Sequence, residues 1–222
     1  MTVAIVQSQV PFHWAFFLAL EDDLLRLSRY VEIAEDNMST YSIEICRLLM
    51  SACAESDSVL RQIAWRQGGY DLDDEGKAPT GAPNKLAGYN PLVTQFAPGL
   101  KDMRVDIPRF GLHLHPWESW TQAEAPKWWS AHNQIKHGRH VEFQAGSLRH
   151  CLNALAGLLV AVVHLHHDLA VSGLPGMPQL FVIPKEFGGS QSWDEKGFSQ
   201  IFYLDPSENP ANQRYSGPPD QS

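Results

Sequence analysis

The sequence contains little cysteine, with three residues in a chain of 222. Cys46, Cys53 and Cys151 form no Cys-x-x-Cys pair, and none of them has an obvious partner for nucleophilic catalysis. Cys46 and Cys53 are seven positions apart in a helical pattern, so both are expected on one buried face. This usage is typical of the reducing cytosol and predicts a cytoplasmic protein.

The chain also lacks an excess of positive charge. It has 17 lysine and arginine residues against 25 aspartate and glutamate residues, which gives a formal net charge of −8. An acidic balance provides no overall electrostatic attraction for DNA or RNA, although a local basic patch is compatible with it.

A secretory or membrane-spanning segment is missing as well. The N-terminal residues carry no basic region and no small-residue cleavage pattern, so we expect no signal peptide. The most apolar run, residues 151–165, is too short to span a bilayer and is interrupted by Asn153 and His164. It predicts a buried core helix, and no membrane partner is expected.

Four stretches of the chain have the spacing of amphipathic helices. They are residues 16–36, 40–67, 126–136 and 141–171, and Ser39 or Thr40 is expected to cap the second. Short connections favour antiparallel packing of such helices. The predicted fold class is therefore mainly α, a bundle of four to five helices with a long irregular insertion and a small β-ribbon.

The remaining segments interrupt the helical pattern. Residues 70–125 are predicted to be the insertion, because residues 70–100 are rich in proline, glycine and acidic residues and show no helical period. Alternation in residues 104–115 predicts a hairpin, and residues 179–184 and 198–204 are predicted to be two short strands that could pair. Residues 1–204 form one domain in this interpretation, and residues 205–222 form a loosely held polar tail.

The densest group of candidate functional side chains is residues 128–140, WWSAHNQIKHGRH. If this stretch is helical, His132 and Lys136 share one face, Asn133 and His137 share another, and the two faces adjoin. Histidine serves as acid or base near neutral pH, and lysine or arginine stabilises developing negative charge. The sequence has no glycine-rich phosphate loop and no Gly-x-Ser-x-Gly elbow that would point elsewhere.

Two long helices, an insertion and the pattern WW-x-x-H-N-x-x-K-H-x-R before an apolar helix resemble the HEPN superfamily. The resemblance covers about residues 16–37, 40–67 and 128–169. It implies a small helical bundle from a bacterial toxin–antitoxin or antiviral system, in which two copies come together. Many such proteins resemble metal-independent ribonucleases with an arginine, a following polar residue and a histidine a few residues further on.

The family's site residues can be placed on this stretch one by one. Asn133 matches the polar residue and His137 the histidine, whereas His132 stands where the family has its arginine. Lys136 or Arg139 could supply the missing positive charge, although neither lies at the matching place. Trp128 and Trp129 are candidates for stacking on bases.

Plainer interpretations of these residues stay open. Trp128 and Trp129 can be core residues, and Asn133 and His137 can bridge helices through hydrogen bonds. Histidines elsewhere would suit zinc, but no recognised ligand set is present, so neither a metal nor another cofactor is predicted. These histidines are His113 and His115 in one segment, and His164 and His167 in another.

The sequence therefore predicts a HEPN-like protein that acts as a metal-independent ribonuclease or toxin of a bacterial defence or toxin–antitoxin system. The expected partners are a second copy of the chain in a homodimer, and either RNA or an antitoxin or other partner protein. The alternative is a non-catalytic HEPN-like module that binds a partner protein or a nucleotide.

Overall fold

Five α-helices make up most of the chain that the structure describes. The structure is a computed structural model, and it describes residues 10–73, 76–166, 176–182, 190–194 and 197–201. The helices are α1 (Phe12–Leu27), α2 (Ile43–Gln67), α3 (Leu86–Phe96), α4 (Lys127–Glu142) and α5 (Leu148–Leu165). The mainly α fold class predicted from the sequence is confirmed.

Helix α5 lies at the centre of the fold, where it packs against α2 along much of its length and also contacts α1 and α4. By length and composition it is apolar enough to cross a membrane, with a mean hydropathy of 1.6, but 72% of it is buried inside the protein. The predicted core helix is thus confirmed. It begins at Leu148 rather than residue 141, because the Ser147 side chain caps it by accepting a hydrogen bond from the backbone N–H of His150. The predicted end at residue 171 lies outside the described residues.

The bounds of the first two helices also differ from the prediction. Helix α1 ends at Leu27 rather than residue 36, and the chain then turns through a short 3-10 helix, Glu35–Asn37. The cap of α2 is Ser42, whose hydroxyl oxygen accepts a hydrogen bond from the backbone N–H of Ile45 at 3.2 Å. Thr40 instead offers its carbonyl oxygen to the backbone N–H of Leu148 at 2.8 Å. This contact joins the starts of α2 and α5.

The prediction that residues 70–100 contain no helix was wrong. Helix α3 occupies Leu86–Phe96, with Pro91 inside it, and packs on α2 through buried Tyr89 and Val93. The helix approaches the preceding loop closely at Gly88, where an added Cβ would lie 2.9 Å from the Cβ of Pro83. The glycine that resembled a helix breaker is therefore required by packing.

The predicted hairpin in residues 104–115 is confirmed. Strands β1 (Val105–Ile107) and β2 (Leu112–Leu114) pair antiparallel, and Gly111 turns the chain with a φ of 63°. A second antiparallel pair joins β3 (Ser190–Asp194) to β4 (Gly197–Ile201). The predicted pairing of residues 179–184 with residues 198–204 was thus wrong, and Val182 instead forms an isolated bridge with Asp106. The tail, residues 205–222, lies outside the described residues.

Residues 179–181 are held on α1 by one buried carboxylate. The Glu21 side chain is 2% exposed and accepts hydrogen bonds from the backbone N–H groups of Gln179, Leu180 and Phe181 at 2.8, 2.8 and 3.0 Å. A buried carboxylate requires such donors, because it has given up its hydration. The segment near the end of the chain is thereby fixed to its first helix.

Candidate functional site

A cavity of about 980 Å³ lies between α2, the start of α3 and α4. We call it the α2–α4 cavity. Its size is at the upper end of the range in which proteins hold small molecules or parts of larger ones. Its lining comprises Met50, Cys53, Ala54, Asp57, Arg61, Asn84, Lys85, Leu86, Ala87, Ala125, Trp129, His132, Asn133, Lys136 and His137.

Helix α4 contributes five of the residues singled out by the sequence to this cavity. Trp129, His132, Asn133, Lys136 and His137 all line it, which is the spacing of one helical face. Arg139 does not line it. It follows Gly138, whose φ of −142° and ψ of 36° interrupt the helical backbone. Burial raises the pKa of the Cys46 thiol, and the positive charge of Arg139 partly offsets this rise. The expected loosening of the helix at Gly138 is confirmed, although the helix continues to Glu142.

Trp128 lies in the core and not in the cavity. It is 2% exposed, its indole Nε1 donates to the carbonyl oxygen of Pro116 at 2.7 Å, and its ring packs edge-on against Trp117. Helix α5 makes room for these two indoles at Gly157, where an added Cβ would lie 2.9 Å from Trp128. The ring of Trp128 is therefore not placed to stack on a base, which corrects that part of the site prediction.

His132 is the buried titratable group of the cavity wall. His132 is 9% exposed, and its Nδ1 atom is buried without a hydrogen-bond partner among the described residues. Burial lowers the pKa of His132 below its ordinary value, and the positive charge of Lys136 lowers it further. The imidazole is consequently neutral at neutral pH and can accept a proton.

The sequence alone did not single out the basic residues that α2 and α3 add to the cavity. Arg61 forms an ion pair with Asp57, and its Nε donates to the hydroxyl oxygen of Tyr89 at 3.1 Å. Its guanidinium also lies 5.9 Å from the centre of the Trp65 ring. Arg61 thus connects α3 to α2, and its positive charge, partly neutralised by Asp57, lies at the cavity wall.

Lys85 and Lys136 make no ion pair with any residue that the structure describes. Lys85 immediately precedes α3, and Lys136 lies on α4, so the two ammonium groups approach the cavity from different elements. Three cationic side chains face one carboxylate, Asp57, in this lining. The cavity is therefore a local basic patch on an acidic protein, and it favours an anionic ligand.

Cys53 lies at the cavity wall but is not arranged as a nucleophile. It is fully buried, and burial raises its pKa well above the ordinary value of a thiol. A thiol in this state stays protonated at neutral pH and reacts poorly. Cys46 and Cys151 are also buried free thiols. The burial of Cys46 and Cys53, which the sequence predicted from their spacing on α2, is confirmed.

In the described part of the chain, the histidines considered as zinc ligands do not lie near enough other ligand side chains to form a complete metal site. No group of three or more His, Cys, Asp or Glu side chains there is placed to hold a metal ion. His113 contacts Asp106 through Nδ1 at 2.7 Å, and His164 contacts the carbonyl oxygen of Val160 at 3.0 Å. His167 lies outside the described residues.

A second polar cluster joins α1, α2 and the end of α5. His13 contacts a carboxylate oxygen of Glu55 at 2.5 Å and the side-chain nitrogen of Gln62 at 2.7 Å. The ring of His166 lies 6.0 Å from that of His13, and its Nε2 is buried without a partner among the described residues. Sequence reasoning missed this cluster, because its members come from three separate helices.

The arrangement of the α2–α4 cavity suits a phosphate group attached to a flat, partly apolar body. Lysine and arginine side chains can hold phosphate oxygens, and Trp129 and Leu86 provide apolar surface. A neutral imidazole and a second imidazole on the same helix face provide a base and an acid.

Comparisons of the chain with protein-family models, with curated proteins and with solved structures find no match.

Proposed function

We propose that the chain is a HEPN-like metal-independent ribonuclease whose site is the α2–α4 cavity. The observation that carries the proposal is the convergence of His132, Asn133, Lys136 and His137 on one cavity, joined there by Lys85 from another element. RNA cleavage without a metal needs a base, an acid and cations near phosphorus, and this set contains all three.

The reaction assigns a separate task to each side chain. Neutral His132 takes the proton of the 2′-hydroxyl group, and the 2′-oxygen then forms a bond to phosphorus. The bond from phosphorus to the 5′-oxygen breaks, and His137 in its protonated form gives that oxygen a proton. The products are a 2′,3′-cyclic phosphate and a 5′-hydroxyl end.

The neighbouring polar groups hold the phosphate during this reaction. Lys136 and Lys85 balance the negative charge that builds on its non-bridging oxygens, and the side-chain amide of Asn133 donates a hydrogen bond to one of them. Lys136 has a further effect, since its charge helps to keep His132 neutral. Trp129 lines the cavity and Trp128 does not, so in this proposal the adjacent base stacks on Trp129 alone.

The biological setting follows from the same resemblance. A bacterial defence or toxin–antitoxin role implies that the active protein is a homodimer and that a partner protein restrains it. Sedimentation equilibrium tests the dimer, and slowed growth of cells that express the wild-type chain but not the His137→Ala variant tests the toxicity.

The decisive experiment is cleavage of single-stranded RNA by the purified protein in EDTA. We expect wild type to release cyclic phosphate ends, and His132→Gln and His137→Ala to lose activity by about a hundredfold or more, because each removes one proton-transfer group. The matched control is His140→Ala, which removes an exposed histidine of the same helix on the other side of Gly138. Equal activity in all three variants would contradict the assignment.

A second candidate function is binding of a nucleotide or partner protein without cleavage. It is favoured by one observation, namely that His132 occupies the arginine position of the family motif and is buried, so no guanidinium stands there. Under this alternative, the folded wild-type protein binds RNA or a nucleotide at the cavity and produces no cyclic phosphate ends.

A further inference from the structure

A second and separate cavity, of about 380 Å³, lies between β2, the start of α4 and the first turn of α5. Its lining includes His113 and His115 around β2, Lys127 at the start of α4, and Arg149 and His150 in the first turn of α5. We call it the histidine cavity. None of these residues lines the α2–α4 cavity, and Trp128 likewise lines only the histidine cavity.

Two of the three imidazoles are fixed in orientation by their Nδ1 atoms. His150 approaches the carbonyl oxygen of Ala145 through Nδ1 at 2.8 Å, and a carbonyl only accepts, so this nitrogen carries the proton. His113 contacts Asp106 through Nδ1 at 2.7 Å. The guanidinium of Arg104, together with His113, holds the pKa of Asp106 below its ordinary value, so the carboxylate accepts. In both rings the Nδ1 proton is used in this way, so Nε2 of the neutral ring is a hydrogen-bond acceptor.

The charges that line the histidine cavity are mostly positive. Lys127 is exposed and makes no ion pair within the described ranges. Arg149 pairs with Glu35 at 3.2 Å, but both side chains are more than half exposed, so this pair is weak and a ligand can replace it. Glu118 is the one carboxylate in the lining.

We infer that the histidine cavity binds a small phosphomonoester through Lys127, Arg149 and the imidazole of His115. A phosphate with two negative charges matches two cationic side chains, and the imidazole N–H of His115 and an amide N–H supply further donors. Asn153 on α5 and Ser119 line the same cavity as neutral donors. A cavity of this volume accommodates a phosphate and a small attached group, whereas the two cations disfavour a metal ion.

The inference does not rest on the proposed ribonuclease, since the two cavities share no side chain. The probe is inorganic phosphate, titrated into isotopically labelled full-length protein at neutral pH and observed through its backbone amide signals. We expect saturable shifts at Ser119 and Asn153. The source of the phosphate is distinguished by an oligonucleotide with a 5′-phosphate, titrated beside the same oligonucleotide with a 5′-hydroxyl group into the His137→Ala variant, to avoid cleavage.

Three variants test the chemistry of the site. Lys127→Gln should weaken phosphate binding about tenfold, because a charge-assisted contact is lost. Lys101→Gln removes a lysine outside both cavities and should leave the affinity unchanged. Glu35→Gln frees Arg149 from its ion pair and should tighten binding severalfold, a gain that damage to the fold would not produce.

Several results would overturn the inference. They are shifts confined to Asn133 and Ala87 of the other cavity, an equal loss of affinity in Lys127→Gln and Lys101→Gln, and an unchanged affinity in Glu35→Gln. A preference for the 5′-phosphorylated oligonucleotide would identify the end of a nucleic acid as the source. Equal weak binding of both oligonucleotides beside saturable binding of inorganic phosphate would identify a small molecule.

Discussion

The indole Nε1 of Trp117 donates a hydrogen bond to the backbone carbonyl oxygen of Gly157 at 3.1 Å. This contact brings the indole against the middle of α5, and the ring of Trp128 packs beside it at the same place. Because Trp128 belongs to α4, the position of the helix that carries the candidate site depends on a residue of α5 that has no side chain.

Replacing Gly157 with alanine should therefore destabilise the protein by about 1–3 kcal/mol, since a new methyl group must displace packed indole rings. The added Cβ would meet Trp128 at 2.9 Å and Trp117 at 3.3 Å. Urea unfolding followed by tryptophan fluorescence measures the change. The control is Gly99→Ala, whose Cβ would meet only Met103 at 3.6 Å and should cost no more than about 0.5 kcal/mol. Equal stability of the two variants would contradict the packing argument.

Replacing Glu21 with glutamine should destabilise the fold by about 1–3 kcal/mol. The two oxygens of the carboxylate accept hydrogen bonds from three backbone N–H groups, whereas glutamine has an NH2 group in place of one oxygen, which cannot accept from the N–H that it faces. Chemical denaturation gives the free energy of unfolding. The neighbouring Asp22→Asn variant is the control. Asp22 is partly exposed and, among the described residues, pairs only with Arg26, so this change should cost less than about 1 kcal/mol. A smaller effect at Glu21 than at Asp22 would refute the anchoring role.

Acidification should weaken the fold through His166. Burial lowers its pKa to about 4, with the charges of His13 and Arg66 acting in the same direction, whereas the unfolded chain has a value near 6.5. The unfolded state therefore takes up the proton first as the pH falls. The stability from neutral His166 is complete above about pH 6.5 and is lost progressively down to about pH 4.

Protonation of this single group can change the free energy of unfolding by at most about 1.4 kcal/mol per pH unit. Solvent at the partly exposed ring makes the change smaller. Unfolding free energies measured at a series of pH values should fall less steeply for His166→Gln than for wild type. The control variant, His140→Gln, should keep the wild-type slope. Parallel curves for wild type and His166→Gln would show that the acid sensitivity does not arise at His166.

Loss of either unpaired lysine of the α2–α4 cavity should weaken RNA binding and its dependence on salt. Each phosphate contact releases counterions, so Lys136→Gln and Lys85→Gln should each reduce the slope of log affinity against log salt by about 0.7 for a single strand. Fluorescence anisotropy with labelled RNA, in the His137→Ala background to prevent cleavage, provides the measurement. Lys101→Gln should leave the slope unchanged, and a reduced slope there would indicate unspecific charge effects.

The sequence predicted that His132, Asn133, Lys136 and His137 lie together on α4, because helical spacing alone places them so, and all four line the α2–α4 cavity. It could not separate Trp128 from Trp129. Consecutive helical residues point about 100° apart, and only the packing of Trp117 and α5 decides which of the two faces the core.

Other parts of the site depend on contacts that local patterns do not contain. Gly88 and Pro91 argued against a helix at residues 86–96, so α3 was not predicted. Leu86, Tyr89 and Val93 nevertheless have helical spacing and are buried. Without α3, neither Lys85 nor the Arg61–Tyr89 contact could be connected with α4. The cluster of His13, Glu55 and His166 was inaccessible for the same reason, since three helices must pack before its members meet.

The hydrogen bonds of Glu21 span 158 to 160 residues of chain. During synthesis, α1 leaves the ribosome long before residues 179–181 exist, and its carboxylate must remain in water until they arrive. Helices α1, α2 and α5 can associate before that, but Glu21 gains its three hydrogen bonds only when residues 179–181 have been made. Closure of so long a loop is slow, so this carboxylate is expected to reach its native contacts late in folding.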